Sequence, residues 1–221
     1  MNAAYRFPEA RILVFAKAPL IGRVKTRLIS AVGAMRAMRL YRLMLASVLQ
    51  RLADARIAPI EIHAAPDARH PWLRRLAGRV GASLAPQVEG DLGRRMAWAA
   101  RHAHRDADMV LLIGADGVWL CPQELSSAFS RLQAGATAIL GPADDGGYVL
   151  LGLRRGFDAR VFQGLPWGGP RVAAITRARL RLAGVAWGEL SSRPDLDTPR
   201  DLRRWLRARR LGGSHLQNTC I

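Results

Sequence analysis

Two residues, Lys17 and Lys25, are the only lysines of the chain and lie eight positions apart. The other 32 of the 34 basic residues are arginines. A lysine carries a compact ammonium on a flexible stem, which suits a point contact with a phosphate oxygen. In the same segment Arg27 adds a cation, Gly22 lets the backbone approach a ligand closely and Pro19 stiffens the chain. This segment is therefore a candidate phosphate-binding loop.

The position of the loop in the fold favours this interpretation over an ordinary surface loop with solvated charges. The loop follows an apolar run at residues 12–16, which is typical of a central strand buried on both faces. Ligands of open α/β sheets bind beyond the carboxyl ends of such strands. A Walker A loop is excluded, because the G-x-x-x-x-G-K-[ST] order is absent.

Two aspartates are candidate metal ligands. Asp116 follows a second apolar run, residues 109–113, so its carboxylate is expected in the same crevice as the loop. Carboxylate oxygens suit Mg²⁺, which would bridge protein and phosphate. A plain D-G turn is the alternative. Asp197 is a weaker candidate for a second metal carboxylate, because it or Thr198 can instead cap the last helix. Lys17 and Lys25 would form two walls of the phosphate site, with the aspartates on the opposite side.

Three further segments combine glycines with polar or aromatic residues, at 87–96, 141–148 and 167–172. Taken singly, each is more typical of a turn or a helix start than of a site. The paired glycines and carboxylates of G-P-A-D-D-G-G-Y also suit a backbone wall against a substrate. Trp167 is a candidate lining residue of an acceptor pocket.

Short apolar runs alternate with helical patterns, which predicts an α/β fold whose mostly parallel sheet lies between two layers of helices. Strands are predicted at residues 12–16, 60–64, 83–86, 109–113, 136–140, 148–153 and 185–188, and helices at 34–53, after 71, and at 92–104, 123–132, 171–182 and 199–210. Only six or seven residues separate the fifth and sixth strands, too few for a parallel crossover. One of these two strands is therefore expected to be antiparallel.

The chain carries a formal net charge of +17. Such a balance raises nucleic acid or an anionic membrane as a partner. However, the arginines are spread along the whole chain, and aromatic residues make up only 6%, too few for an array of base-stacking platforms. We therefore expect no nucleic-acid partner, although a basic nucleic-acid-binding protein is kept as the alternative of another class.

With 221 residues the chain is expected to form one domain over residues 1–210, followed by a flexible tail at 211–221. No apolar run approaches the ~18 residues of a membrane helix, so no membrane span is predicted. The apolar stretch near the start is too short for a signal peptide, and we expect a cytoplasmic protein.

Six segments in this order resemble a bacterial family of glycosyltransferase-A-type proteins in the nucleotide-diphospho-sugar transferase superfamily. Distant relatives include 2-phospho-L-lactate guanylyltransferase and molybdenum-cofactor guanylyltransferase. The segments are K-A-P-L-I-G-R-V-K-T-R-L, G-D-L-G-R-R-M, G-A-D-G-V, G-P-A-D-D-G-G-Y-V-L-L-G-L, W-G-G-P-R-V and D-L-D-T-P-R-D-L. The first and fourth are specific, and the resemblance covers roughly residues 11–206.

The resemblance implies a three-layer α/β/α, Rossmann-like glycosyltransferase-A-type fold with a mostly parallel mixed sheet. It also implies cofactor- and nucleotide-binding residues, namely Lys17, Pro19, Gly22, Lys25, Thr26, Arg27, Gly93, Gly146 and Gly147. Asp116 matches the metal aspartate, with Asp197 as the residue that completes the site, for Mg²⁺ or Mn²⁺. Lys25, Asp116 and Asp145 are the implied catalytic residues, and Asp145 is the best candidate for a general base.

In one respect the sequence departs from the family pattern. The family has a proline two residues after the metal aspartate, often followed by another acid, whereas here the run is Asp116-Gly117-Val118-Trp119. A second carboxylate beside Asp116 is therefore missing, which suggests a non-catalytic nucleotide-binding member as one alternative.

The function implied is that of a metal-dependent transferase acting on a nucleotide-diphospho-sugar. A guanylyltransferase-like nucleotidyltransferase that releases pyrophosphate is the alternative, because a lysine-containing loop suits a triphosphate. The expected partners are a nucleotide or nucleotide sugar and a small-molecule acceptor that the sequence does not identify. A homodimer is compatible with the sequence.

Overall fold

A single mixed sheet organises the part of the chain that the structure, a computed structural model, describes, namely residues 4–194 and 196–210. Within these residues the strands are β1 (Ala10–Lys17), β2 (Ile60–Ala65), β3 (Ser83–Pro86), β4 (Met109–Gly114), β5 (Ala138–Pro142), β6 (Tyr148–Arg154) and β7 (Trp187–Glu189). The helices are α1 (Ile29–Val32), α2 (Ala34–Ala55), α3 (Pro71–Val80), α4 (Leu92–Ala103), α5 (Pro122–Gln133), α6 (Val172–Leu182) and α7 (Pro199–Arg210). Short 3₁₀ turns occupy Thr26–Leu28 and Ala159–Phe162.

The strand order is β3-β2-β1-β4-β6-β5-β7. β6 runs antiparallel to both of its neighbours, whereas the other pairs are parallel. The predicted mostly parallel mixed sheet with one antiparallel strand is therefore confirmed. Because β5 points the same way as β1 and β4, the carboxyl ends of all three strands reach one edge of the sheet.

The sheet is buried because helices cover both of its faces. One core packs α2, α3, α5 and α7 against the sheet, and a second core packs α4 and α6 against the other face. This arrangement explains why β4 is apolar at successive positions: alternate side chains enter opposite cores. The predicted three-layer α/β/α class is confirmed.

Two helices show how the sequence sets the local structure near the edge that carries the loops. α2, predicted as a helix at 34–53, buries a stripe formed by Met38, Tyr41, Leu45, Val48 and Leu52. α7 begins with a reciprocal cap, in which Thr198 N donates to Asp201 Oδ2 (2.7 Å) and Asp201 N donates to Thr198 Oγ1 (3.3 Å). The cap therefore uses Thr198, and the carboxylate of Asp197 is available to the loops.

The predicted tail at residues 211–221 lies outside the described residues, and the single domain over 1–210 stays a prediction. None of the described helices combines the length and the apolar character needed to cross a membrane.

Candidate functional site

A cleft of about 410 Å³ opens at the carboxyl ends of β1 and β4. These strands lie side by side, while their successors along the chain extend in opposite directions across the sheet. Crevices at such switch points are the usual ligand sites of open α/β folds. The charged residues that line the cleft are Lys17, Lys25, Arg27, Arg95, Asp116 and Asp197. The cleft therefore combines a cationic lining with two carboxylates.

The ammonium of Lys25 joins two loops that are far apart in the chain. Its Nζ lies 2.7 Å from Asp116 Oδ1 and 3.0 Å from Asp197 Oδ1, and it donates a hydrogen bond to Leu196 O at 2.5 Å. The side chain is only 5% exposed. Burial alone would lower the pKa of Lys25, but the two carboxylates outweigh it, and the pKa is raised above its ordinary value. Lys25 is therefore a charged, buried link between the aspartates.

This geometry differs from the expectation that Lys25 faces Asp116 across the site. The two side chains form an ion pair on the same side of the cleft, with Asp197 as the third member. The backbone at Lys25 is left-handed, with φ of 47°, and the residue directly precedes the 3₁₀ turn Thr26–Leu28. The loop thus folds back so that the Lys25 ammonium meets the carboxylates.

Lys17 has a different environment from Lys25. It ends β1, and its backbone N donates to Tyr41 Oη at 2.7 Å, while Tyr41 Oη donates to Lys17 O at 3.0 Å. Burial raises the pKa of Tyr41, so its hydroxyl stays protonated. Lys17 is exposed, and within the described residues its ammonium has no hydrogen-bond or ion-pair partner. This cation is therefore available to a ligand.

A further cationic group, Arg95, was missed as a site residue. The carboxamide of Gln87 donates to Ala16 O (3.1 Å) and His63 O (2.8 Å), which ties together the ends of β1 and β2. Arg95 then donates to Gln87 Oε1 (3.3 Å) and to Gly90 O (2.9 Å), so its guanidinium is held against the cleft. Arg95 belongs to the G-D-L-G-R-R-M segment, but from the sequence alone this segment indicates only the start of a helix.

The remaining residues of the predicted nucleotide loop divide into two groups. Thr26 and Arg27 line the cleft, and Arg27 Nη1 lies 2.9 Å from Asp197 Oδ2. Pro19 is buried beneath the loop, and Gly22 occupies an exposed turn with φ of 76°. These last two residues shape the loop and do not belong to the lining of the cleft.

The D-G-G-Y segment forms the turn between β5 and β6, on the same edge of the sheet as the cleft. Asp145 Oδ1 accepts a hydrogen bond from Gly147 N at 2.8 Å. Gly146 has φ of 88°, and a Cβ there would overlap the carbonyl oxygen of Pro170. The segment is thus a tight turn packed against the chain that leads into α6. Asp145 is exposed and outside the lining of the cleft, so its role as a base stays a prediction.

Gly93 also lies outside the cleft lining. A Cβ at this position would come within 2.6 Å of Phe162 O and 2.9 Å of the Trp167 ring. Trp167 in turn packs edge-to-face with Tyr148, with ring centroids 6.1 Å apart. Gly93 therefore allows close packing of the first turn of α4, which carries Arg95.

The two aspartates fit a divalent cation. Asp116 occupies a turn after β4, in which Gly117 N donates to Gly114 O at 3.1 Å, so the turn and the metal interpretations are compatible. Asp116 and Asp197 both contact the Lys25 ammonium, which neutralises part of their negative charge. Within the described chain there is no group of three or more potential metal-binding side chains. Mg²⁺ is commonly held by one or two carboxylates together with substrate phosphates, and this pair can supply that share.

Comparison with known proteins places the chain in a family. The model of the family described as "Uncharacterized protein conserved in bacteria (DUF2064)" matches residues 48–169, more than half of the chain. The chain therefore belongs to this family. No curated protein matches it.

Several solved structures are similar to this one. A Desulfovibrio desulfuricans G20 protein, provisionally described as a nucleotide-diphospho-sugar transferase, shares 34% identity and a TM-score of 0.81, covering 97% of this chain and 92% of that chain. A cytidylyltransferase from Leptospira borgpetersenii shares 14% identity and a TM-score of 0.59, covering 97% and 99%. A Mycobacterium tuberculosis protein in complex with manganese shares 18% identity and a TM-score of 0.53, covering 90% and 99%.

The similarity to the Desulfovibrio desulfuricans protein confirms the resemblance that the six sequence segments predicted. The other two, at 14% and 18% identity, concern the fold alone. They agree with the observed mixed sheet between two helical layers.

Proposed function

We propose that the chain is a metal-dependent transferase that uses an activated nucleotide, and that it transfers a sugar from a nucleotide-diphospho-sugar. The observation that carries this proposal is the convergence of Asp116 and Asp197 within 3.0 Å of one ammonium, in a cleft lined with further cations. The 34% identity to a provisionally described nucleotide-diphospho-sugar transferase supports the choice of substrate class.

In this proposal the phosphate groups bind between Lys17 and Arg95. The Lys17 ammonium has no partner among the described residues, and Arg95 is held at the cleft by Gln87 and Gly90. Both cations would stabilise the negative charge that develops on the diphosphate as the bond to the sugar breaks. Thr26 and Arg27 border the same cleft and can add polar contacts.

Asp116 and Asp197 would hold Mg²⁺ or Mn²⁺. When bound, the metal supplies neutralisation of phosphate charge. The Lys25 ammonium pairs with both carboxylates, so it offsets their mutual repulsion in the absence of metal. No residue that lines the cleft is assigned as a general base. The proposed base is Asp145, which lies outside the cleft lining, in an exposed turn at the same edge of the sheet.

A nucleotidyltransferase is the second candidate, because four cations line the cleft and a triphosphate carries more charge than a diphosphate. The similarity in fold to a cytidylyltransferase is compatible with it. Product analysis separates the two chemistries: sugar transfer releases a nucleoside diphosphate, whereas nucleotidyl transfer releases pyrophosphate.

The test is a thermal-shift screen of nucleoside triphosphates and nucleotide sugars, with and without Mn²⁺. A ligand at about 100 times its dissociation constant adds about 2.7 kcal/mol to the free energy of unfolding. Asp116→Asn should abolish the Mn²⁺-dependent part. Asp106→Asn, an exposed carboxylate after α4, is the matched control and should retain it.

The absence of a Mn²⁺-dependent shift from every nucleotide would refute the proposal. A shift without turnover on any acceptor would indicate a non-catalytic nucleotide-binding protein. Binding of nucleic acid that weakens steeply with salt and ignores Asp116→Asn would indicate the alternative class.

A further inference from the structure

A second cationic feature lies on the outer surface, between α2 and α3. It is a groove of about 660 Å³, which we call the α2–α3 groove. Four arginines and four apolar residues line it: Arg39, Arg42, Arg75, Arg79, Leu43, Ala46, Trp72 and Leu76. The lining contains no acidic residue, and it shares no residue with the candidate site.

The positive charge of the groove is not neutralised within the described residues. The guanidiniums of Arg39, Arg75 and Arg79 have no ion pair or hydrogen bond there, and Arg42 lies 4.8 Å above the Trp72 ring. Arg75 and Arg79 are four residues apart on α3, a spacing at which like charges repel. Some arginines elsewhere in the chain are paired with acids, as in Arg193–Glu124 and Arg177–Glu189. An anionic partner would therefore relieve the repulsion in the groove.

Apolar side chains accompany these charges on the same helix face. Leu43 is 55% exposed and Met35 is 43% exposed. Met35, Arg39, Arg42, Leu43 and Ala46 follow the i, i+4, i+7, i+8, i+11 spacing of one face of α2. α2 thus presents arginines together with exposed apolar groups.

This combination distinguishes two anionic partners. A nucleic-acid backbone offers phosphates but has no counterpart for an exposed leucine, and the half-buried Trp72 is covered by Arg42 instead of presenting an open stacking face. A bilayer surface offers phosphate headgroups beside the boundary of the acyl chains, where an exposed leucine can insert. The observations therefore favour lipid.

We propose that the α2–α3 groove docks the protein on the surface of an anionic membrane, with its arginines on the lipid phosphates and Leu43 in the headgroup boundary. In this arrangement the protein would lie on the surface of the bilayer. The proposal is independent of the transferase function, because it uses no residue of the nucleotide cleft.

The test is co-sedimentation of the full chain with two kinds of vesicle. One is phosphatidylcholine alone, and the other contains roughly 30% phosphatidylglycerol, which makes its surface strongly anionic. We expect binding to the anionic vesicles only, weakening as salt is raised. Each arginine near an anionic surface contributes about fivefold to affinity, so Arg75→Gln/Arg79→Gln should bind about 25-fold more weakly. Leu43→Ser should weaken binding roughly fourfold, because about half of its surface is available for burial.

The control variants remove the same charge and the same type of apolar side chain from the other face of the sheet. Arg105→Gln/Arg181→Gln changes two exposed arginines after α4 and on α6, and Leu182→Ser changes a leucine that is 88% exposed. Both controls should bind like the wild type, and circular dichroism establishes that each variant is folded. Equal losses in groove and control variants, or no binding to anionic vesicles, would overturn the proposal. Tight binding of duplex DNA or RNA that the groove variants abolish, without vesicle binding, would overturn it in favour of nucleic acid.

Discussion

Replacement of Lys25 by methionine removes the ammonium that links two aspartates but keeps most of the apolar stem. Three acceptors then lose their donor, because Asp116 Oδ1, Asp197 Oδ1 and Leu196 O all lie within 3.0 Å of Nζ. The two carboxylates are left facing each other in a partly buried cleft. We expect Lys25→Met to destabilise the fold and not only to weaken ligand binding.

The magnitude follows from burial. Removal of one partner of a fully buried ion pair costs about 3–5 kcal/mol. The lysine side chain is 5% exposed, but the carboxylates of Asp116 and Asp197 are 41% and 34% exposed, so water screens part of the loss. We therefore expect a loss of about 2–3 kcal/mol, which for a chain of this size corresponds to a fall in Tm of roughly 5–10 °C.

The assay is denaturant and thermal unfolding of the wild type, Lys25→Met and Lys17→Met. The Lys17 ammonium is exposed and has no partner among the described residues, so its loss should change stability by no more than about 0.5 kcal/mol. Added Mn²⁺ should stabilise Lys25→Met more than the wild type, since among the described residues the variant leaves Asp116 with no cationic partner and Asp197 with Arg27 alone. Equal stability of the two lysine variants would refute the structural role assigned to Lys25.

Two further predictions concern a turn and a buried pair. Gly146→Ala should be far more destabilising than Gly156→Ala. The two glycines have nearly the same φ, 88° and 87°, but only at Gly146 would a Cβ overlap the carbonyl of Pro170. Equal unfolding midpoints of the two variants would contradict this prediction, because they would show that backbone strain alone determines the loss of stability. The pKa of Glu61 is lowered, first by its hydrogen bond with His63, with burial acting in the opposite direction. This pair should therefore stabilise the wild type relative to Glu61→Gln above the ordinary pKa of 4.5, and the difference should vanish as pH falls through the folded-state value; a pH-independent difference in unfolding free energy would contradict this.

The fold was predictable because its strands are short apolar runs and its helices carry regular stripes. β4 illustrates this, since burial on both faces leaves a sequence with no polar position that could be mistaken for a loop. That one of β5 and β6 is antiparallel followed from the length of the connection alone, because it is too short for a crossover; the structure shows that the strand is β6. Termini were less certain: β5 begins at Ala138, two residues later than predicted.

The candidate site was predictable in location but not in geometry. Spacing placed Lys17, Lys25 and Asp116 beyond the ends of two strands, yet the left-handed backbone at Lys25 turns its side chain onto the aspartates. A non-glycine residue with positive φ has no reliable sequence signal. The role of Arg95 depends on Gln87, whose amide joins β1 and β2, and such a tertiary contact cannot be inferred from spacing.

We propose that Asp116 makes nucleotide binding dependent on a divalent cation. Titration calorimetry of the nucleotide selected by the thermal-shift screen tests it directly, with the wild type, Asp116→Asn and the control Asp106→Asn, each with and without Mn²⁺. We expect Mn²⁺ to strengthen binding to the wild type and to the control but not to Asp116→Asn. Equal Mn²⁺ dependence in all three proteins, or binding indifferent to Mn²⁺ throughout, would contradict this role of Asp116.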